Sequence, residues 1–440
     1  MSDGRKDALT ARWRPALAAV VLAVLAAAFV VWINSYRAAV PTWQLLPDDR
    51  GRIAHVACLV NSARRAALRN AALVTRILNA LPKRTRLTVL TNDPRAFAVV
   101  GDPQRGRLEI IDLPPKSDFT IWPQDPFLVI ACRDGRRVLL ASREFDRVDD
   151  RLIPERLARH LRIAHRRSKL SFEGGNIVSG SRHVFIGANT IRYNAWKLRK
   201  TDAEIVRELQ RELGRPVLVI GPLPQPVDHI DMMMTALGGG DVAVADARWG
   251  ARLARKELRR DAGSVRAFER RCEEYYFGDP RIRSLRDVKG GLIKPPKVMG
   301  DTARAVKDSE AIAAKLDGIA EELGRWGYRV HRFPFLARSS RPDPKRLGRK
   351  RGAKPKAPEP EPTYPCLTYN NVLIEGESAR RTVYLPQYGF AALDVAAKNA
   401  WRKLGCRVVT VPGFTTSAMY GGSLRCCAKV LERDWSARRE

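Results

Sequence analysis

Short apolar runs alternate with stretches of helical period along most of the chain. His55–Asn61 (HVACLVN), Arg86–Thr91 (RLTVLT) and Leu108–Leu113 (LEIIDL) have the length and residue types of strands. Between the first two, Ala63–Leu81 places Leu68, Leu73, Ile77 and Leu81 at helical spacing. Thr201-Asp-Ala-Glu204 reads as a capping box, in which two side chains satisfy the first-turn amides. It opens a helix with Ile205, Leu209 and Leu213 on one side. Ile312, Leu316, Ile319 and Leu323 form another stripe, which Gly324 is expected to close. Tyr369–Glu375 and Val383–Gly389 predict a hairpin leading into a helix over Ala391–Leu404. Strands alternating with helices predict an α/β fold.

Two stretches depart from this alternation. Residues 15–33 (PALAAVVLAVLAAAFVVWI) run for 19 positions without a charge, and about 20 apolar residues span a bilayer as a helix. Arg5, Lys6, Arg12 and Arg14 precede the run, and Arg37 alone follows it before Arg50. The positive-inside rule therefore predicts a single-pass membrane protein with residues 1–14 in the cytoplasm and the body outside it. A cleaved signal peptide would have a shorter apolar core ending in small residues. The bulky Trp32 favours an uncleaved anchor, followed by a linker over 34–50 and a body over 51–440. The second departure, at about 338–363, is rich in Pro, Lys and Arg and nearly devoid of apolar residues. It predicts a flexible insertion within one domain, with anionic lipid as a possible contact besides simple solvation.

Composition narrows the class. With 45% apolar and 29% charged residues over 440 positions, the chain is an ordinary globular protein with length for a large core. Lys and Arg outnumber Asp and Glu by 79 to 47, a net charge of +32. That excludes an acidic solvating protein and predicts attraction to anionic surfaces. No recognition motif accompanies the charge, so no specific nucleic-acid partner is predicted. Seven cysteines in this length do not make a disulfide scaffold. Cys58, Cys132 and Cys406 lie in strand-like runs and read as core, while Cys272 and Cys366 have no assignable role. No zinc spacing or calcium-type acidic cluster is present, so neither metal nor cofactor is predicted.

Five short motifs carry candidate chemistry. Trp122-Pro-Gln-Asp125-Pro sets an acid between a strand-like FTI and the strand FLVIAC. Phe172-Glu173-Gly-Gly-Asn176 puts a carboxylate at an expected strand end, where two glycines permit close approach. His229-Ile-Asp231 is a period-2 pair that a strand would present on one face. Asn371 belongs to the expected hairpin, ahead of Pro386-Gln-Tyr-Gly389. Gly421-Gly-Ser-Leu-Arg425-Cys426-Cys427 sets a thiol just after a glycine turn. Each has an ordinary reading: a turn, a satisfied histidine, a buried cysteine.

Their order along the chain, Asp, Glu-Gly-Gly, His-x-Asp and Gly-Gly-x-x-x-Cys, resembles the guanidino-group-modifying enzymes: arginine, agmatine and peptidylarginine deiminases and amidinotransferases. The resemblance runs from about His55 to Val430. It implies the pentein fold, an α/β-propeller of five ββαβ-type units around a pseudo-fivefold axis. Carried over by position, Cys426 matches the nucleophile, His229 and Asp231 the His-x-Asp, Glu173 the Glu-Gly-Gly acid and Asp125 the first substrate-binding acid. Trp122 and Asn371 are candidate substrate-binding residues, and Arg425 stands where family members have His or Arg. Gln124 precedes Asp125 where agmatine and bacterial arginine deiminases usually carry Arg. That departure tilts the expected substrate toward protein-bound arginine, with a small guanidine such as agmatine or arginine as the alternative.

The chemistry asks for these residue types. A guanidinium is planar and permanently cationic, with donors in a fixed fork that carboxylates grip in pairs. Asp125 and Asp231 are expected to take that role. Cys426 would attack as the thiolate, His229 would protonate the departing amine, and a covalent thiouronium would remain. His229 would then activate the water that releases a ureido product, with Glu173 orienting the imidazole. With an amine in place of water the same residues would make an amidinotransferase. A binding protein for arginine-containing ligands would need the acids without the thiol. On a strand, Cys427 would face away from Cys426 and read as a back-side thiol.

Overall fold

A computed structural model describes residues 22–26, 43–61, 67–94, 106–117, 119–132, 135–147, 149–277, 301–337, 364–376 and 381–434. The chain begins with β1 (Trp43–Leu45) and β2 (Arg52–Val60), then runs through α1 (Ala67–Ala80) to β3 (Arg86–Thr91) and β4 (Leu108–Asp112). Next come β5 (Phe127–Cys132), β6 (Arg137–Ala141), α2 (Ile153–Leu161) and β7 (Ala164–Arg167). The following stretch holds β8 (Ile177–Ser179), β9 (Val184–Gly187), α3 (Ala188–Leu198), α4 (Asp202–Leu213) and β10 (Val217–Ile220). After it lie β11 (Met234–Gly238), β12 (Asp241–Asp246), α5 (Ala247–Arg260), α6 (Ala262–Phe277), α7 (Thr302–Arg325), β13 (Arg329–Leu336) and β14 (Leu367–Thr368). The chain ends through β15 (Leu373–Glu375), β16 (Thr382–Gln387), α8 (Ala391–Lys403), β17 (Arg407–Pro412), α9 (Thr415–Met419), α10 (Leu424–Cys427) and β18 (Lys429–Asp434).

These strands form five sheets among the described residues. Each sheet contains one recurring unit: an antiparallel pair, then a helical crossover to a parallel third strand. The units are β5/β6 to β7, β8/β9 to β10, β11/β12 to β13 and β15/β16 to β17. The remaining unit pairs β18 with β2 and crosses to β3, so it is assembled from both ends of the sequence. A parallel neighbour requires a crossover of a dozen or more residues, which is why a helix separates the second and third strands each time.

Packing follows the apolar stripes. The largest core joins β2, β3 and α1 to β16 and α8, with Trp401 fully buried at its centre. Trp401 lies 4.3 Å from the Phe333 ring and donates its indole N–H to the Tyr369 carbonyl at 3.2 Å. Truncating such a side chain costs about 3–5 kcal/mol. A second core lies between α7 and the β11–β13 sheet, and a third between α3, α4 and the β8–β10 sheet. The Thr201–Glu204 capping box forms as expected, with both reciprocal bonds present.

Several expectations need correction. Helix α7 continues past Gly324 to Arg325. The left-handed residue is Gly327, at φ +79°, while the Tyr328 amide reaches back to the Leu323 carbonyl at 3.1 Å. The stop signal thus lies three residues later, where the backbone needs the positive φ that glycine tolerates. Trp43–Leu45, inside the stretch expected to be a linker, pairs with β5, and Leu45 and Leu46 are buried. The FTI segment before Trp122 is not a strand, although Phe119 and Ile121 are buried. Of the expected anchor at 15–33, only 22–26 is described, as exposed helix, and the rest lies outside the described residues. Among the described residues no helix is long and apolar enough to cross a membrane. The basic insertion at 338–363 also lies outside them.

Candidate functional site

Each motif residue stands just ahead of the leading strand of a different unit. Asp125 precedes β5, Glu173 precedes β8, His229 and Asp231 precede β11, Asn371 precedes β15 and Cys426 precedes β18. The candidate residues therefore occupy five equivalent positions, one ahead of the leading strand of each unit, which is how motifs so widely spaced in sequence come to corresponding places in the fold.

The glycines explain how closely the loops approach. A Cβ on Gly175 would lie 2.4 Å from His229 Nδ1 and 3.0 Å from Asp125 Oδ1, so only glycine leaves room for both groups. A Cβ on Gly174 would meet the Gln124 carbonyl oxygen at 2.1 Å. The two loops are then stitched together: Gly174 N donates to the Asp125 carbonyl at 2.9 Å, and Gly175 N to Asp125 Oδ1 at 3.2 Å. Gly422 performs a similar service for Trp122, whose ring lies 2.4 Å from where a Cβ would be. Trp122, half-buried, covers the glycine turn that leads to Cys426.

Glu173 and His229 do not lie on strands as the sequence pattern suggested. Glu173 leads into a 3₁₀ turn over Gly174–Asn176, and His229 caps another over Ile230–Met232. The turn splits the His-x-Asp pair between two halves of the site. His229 Nε2 lies 2.6 Å from Glu173 Oε2, and its Nδ1 lies 3.8 Å from Asp125 Oδ1. Burial disfavours the imidazolium, but Asp125 and Glu173 together outweigh it and push the His229 pKa up to about 10. At neutral pH this histidine carries its proton.

Asp231 serves the other half. Its Oδ2 lies 3.9 Å from Cys426 Sγ and accepts from Arg425 Nη1 at 2.8 Å, while its Oδ1 is buried without a partner. Cys426 is 4% exposed, with Met232 Sδ at 3.9 Å from its sulfur. Burial, reinforced by Asp231 and Asp125, pushes the Cys426 thiol well above its ordinary range. Asn371 is fully buried beside it: Oδ1 accepts from the Arg425 amide at 2.8 Å and the Cys426 amide at 3.2 Å. Its Nδ2 donates to Cys426 Sγ at 3.2 Å. Asn371 is thus placed to position the thiol, a different task from the substrate contact expected of it.

The cysteine pair stands on a short helix, α10, and not on a strand. Helical neighbours diverge by about 100°, so the two thiols still part company. Cys427 joins the largest hydrophobic core and Cys426 faces the acids.

Two further departures concern charge. The acids expected to stand open for a substrate both hold internal arginines. Asp125 accepts from Arg147 Nη2 at 2.7 Å, and Asp231 holds Arg425, which also reaches Asp48 at 2.9 Å. No motif pointed to Arg147 or Asp48, because each meets its partner only through long-range folding. Gln124, whose identity tilted the expected substrate, donates to the Gly174 carbonyl at 3.1 Å and is buried. It ties the acid loops together.

Lys429 is another cation near the site, buried, that the sequence did not advertise. Its ammonium lies 5.2 Å from the Phe127 ring centroid and 3.4 Å from the Gln124 carbonyl. Burial, with Arg425 nearby, lowers its pKa to about 7. Among the described residues no group of three or more His, Cys, Asp or Glu side chains could hold a metal ion.

Solved structures share this architecture. A cysteine-to-serine variant of C. jejuni agmatine deiminase with substrate bound is 12% identical with a TM-score of 0.57, aligned over 89% of this chain and 97% of its own. The agmatine deiminase of Enterococcus faecalis is 13% identical with a TM-score of 0.53, over 89% and 96% respectively. Both neighbours are pentein guanidino-modifying proteins, and the likeness establishes their α/β fold for this chain. No protein-family model matches the chain, and no curated protein matches it either.

Proposed function

We propose that the chain is a guanidino-group hydrolase acting on an arginine-type substrate, with its five sheets as the blades of a pentein propeller. The observation that carries this reading is Cys426 set beside Asp231, whose Oδ1 has no partner, with a protonated His229 two residues before Asp231 and within reach of its charge. Asp231 Oδ1 is a buried acceptor with no donor, and a guanidinium edge supplies donors of the required charge and geometry.

In this reading a bound guanidinium reverses the field at sulfur. Cys426 is held as a thiol by burial and by Asp231, and a cation on Asp231 favours the thiolate. The thiol proton passes to solvent as the thiolate forms, and the thiolate then attacks the central carbon of the guanidinium. His229 gives its proton to the departing nitrogen, ammonia leaves, and a thiouronium remains on Cys426. Neutral His229 then takes a proton from water, whose oxygen attacks the thiouronium carbon. Collapse expels the Cys426 thiolate, the hydroxyl proton of the adduct passes to solvent, and a ureido product is left. Glu173, 2.6 Å from His229, orients the imidazole and stabilises its charge. Trp122 would wall the entrance.

A small guanidine is supported by the agmatine deiminase fold, and protein-bound arginine, toward which the identity of Gln124 tilts the sequence reading, is the second reading. A membrane-tethered form with the catalytic body outside the cytoplasm rests on the sequence of 1–33 alone. Fractionation of the full chain, compared with a chain starting at Trp43, tests it: recovery of both in the soluble fraction would reject the tether.

The chemical reading is tested with agmatine, free arginine and an arginine-containing peptide under reducing conditions. Ammonia and a ureido product, lost in Cys426→Ser and retained in Cys427→Ser, are expected from at least one substrate. Binding of these ligands without turnover would support a binding protein instead, and ureido formation that never occurs while an amine acceptor becomes amidinated would indicate an amidinotransferase.

A further inference from the structure

Arg147 brings a guanidinium of the protein's own into the acid cluster. Its Nη2 lies 2.7 Å from Asp125 Oδ2 and 3.6 Å from Glu173 Oε1, while its Nε lies 3.2 Å from Asp150 Oδ2. The Arg147 guanidinium carbon also sits 4.7 Å from the Phe145 ring centroid. The two internal arginines of the site are held very differently. Arg425 has a side chain only 8% exposed and is fixed by Asp231, Asp48 and the Ile177 carbonyl. Arg147 has a side chain 25% exposed, and its ion-pair partners include Glu173, itself half exposed. Arg425 is a pillar of the interior, whereas Arg147 stands between the acids and solvent.

We propose that Arg147 is a built-in competitor for the guanidinium subsite, which a substrate occupies by displacing the Arg147 head group from Asp125 and Glu173. This rests on the guanidino-group reading above. The displaced group has somewhere to remain. Asp150 is fully buried, and its carboxylate is oriented by the Thr120 amide at 2.6 Å and the Thr120 hydroxyl at 2.7 Å. Rotation about the outer bonds of Arg147 can release Nη2 from Asp125 while Nε stays beside Asp150 and the group stays on Phe145. Substrate and Arg147 then exchange one cation for another on the same carboxylate, so the acids never face one another uncompensated. The affinity for any guanidine is lowered by the fraction of molecules in which Arg147 holds the subsite. A neutral analogue of the substrate gains nothing from such an exchange, so the device also selects for a cationic ligand.

The test measures agmatine binding by calorimetry in a Cys426→Ser background, where turnover is absent. Adding Arg147→Met is expected to tighten binding roughly tenfold or more. Because that variant leaves Asp150 buried beside no cation, Arg147→Met with Asp150→Asn is measured alongside it, with the melting temperature of each. Tightening in the folded variants supports the competitor role. Unchanged or weaker binding in a variant that melts near the parent overturns it and leaves Arg147 as a fixed support for Asp125. Absence of agmatine, arginine and arginine-peptide binding in every variant would instead overturn the guanidine reading itself.

Discussion

Asn371 holds Cys426 at both ends of the residue: its carboxamide oxygen accepts from the cysteine amide and its nitrogen donates to the sulfur, each at 3.2 Å. A single side chain thereby fixes the direction in which the thiol points. Asn371→Ala should lower kcat by about tenfold or more, since one to two kcal/mol of positioning hydrogen bonds is removed from a buried site. KM should change less than kcat if Asn371 acts through the thiol, and the two parameters measured together decide this. Loss confined to KM would assign it to substrate contact.

Gly175 is a second point of control. A methyl group there would press on His229 Nδ1 and Asp125 Oδ1 together, and neither can retreat without breaking the Glu173 contact or the Arg147 pair. Gly175→Ala should cost about 1–3 kcal/mol of stability by overpacking and about a hundredfold in activity by misplacing the acid. Urea unfolding and steady-state rates read the two effects separately. Retained activity would show that the His229 position tolerates more movement than its packing suggests.

The proton on His229 makes stability depend on pH. Its folded pKa of about 10 lies above the ordinary 6.5, so folding favours the protonated form. That stabilisation is complete below about pH 6.5 and is lost as pH rises through about 10. His229→Gln removes the dependence. The urea midpoint of the wild type relative to this variant should therefore fall between those limits, and a constant difference would contradict the raised value.

Lys429 acts in the opposite sense. Its folded pKa of about 7 lies below the ordinary 10.5, so the folded state resists its charge. The penalty is greatest below pH 7 and is relieved as pH rises toward 10.5. Lys429→Met should be more stable than the wild type at pH 6, with the advantage shrinking in alkali. Thermal melts at both ends of the range check this. A wild type that is the more stable partner at pH 6 would show that the ammonium is compensated where it lies.

Local signals in this chain were legible where the physics is local. The Thr201–Glu204 box, the stripe of Ile312, Leu316, Ile319 and Leu323, and the apolar runs of β2 and β3 depend on neighbours within a few residues, and they formed where the pattern placed them. The helix runs through Gly324 to Arg325, and the left-handed turn falls at Gly327, where the Tyr328 amide returns to the Leu323 carbonyl. His229-Ile-Asp231 also misled. Period two presents one face only in a strand, and the 3₁₀ turn sends its two polar side chains to different partners.

By itself the sequence determined the α/β alternation, the order of the acid, histidine and thiol motifs, and the glycines that allow them to approach. These are properties of short segments, and elementary sterics and periodicity read them directly. Tertiary structure alone decided that Asp125 and Asp231 carry internal arginines, that Gln124 turns inward, and that Asn371 grips the thiol. Those relationships join residues 22 to 194 positions apart. Ionic and hydrogen-bonding partners at such separations leave no periodic trace, because only the folding of five units onto one site brings their charges within reach.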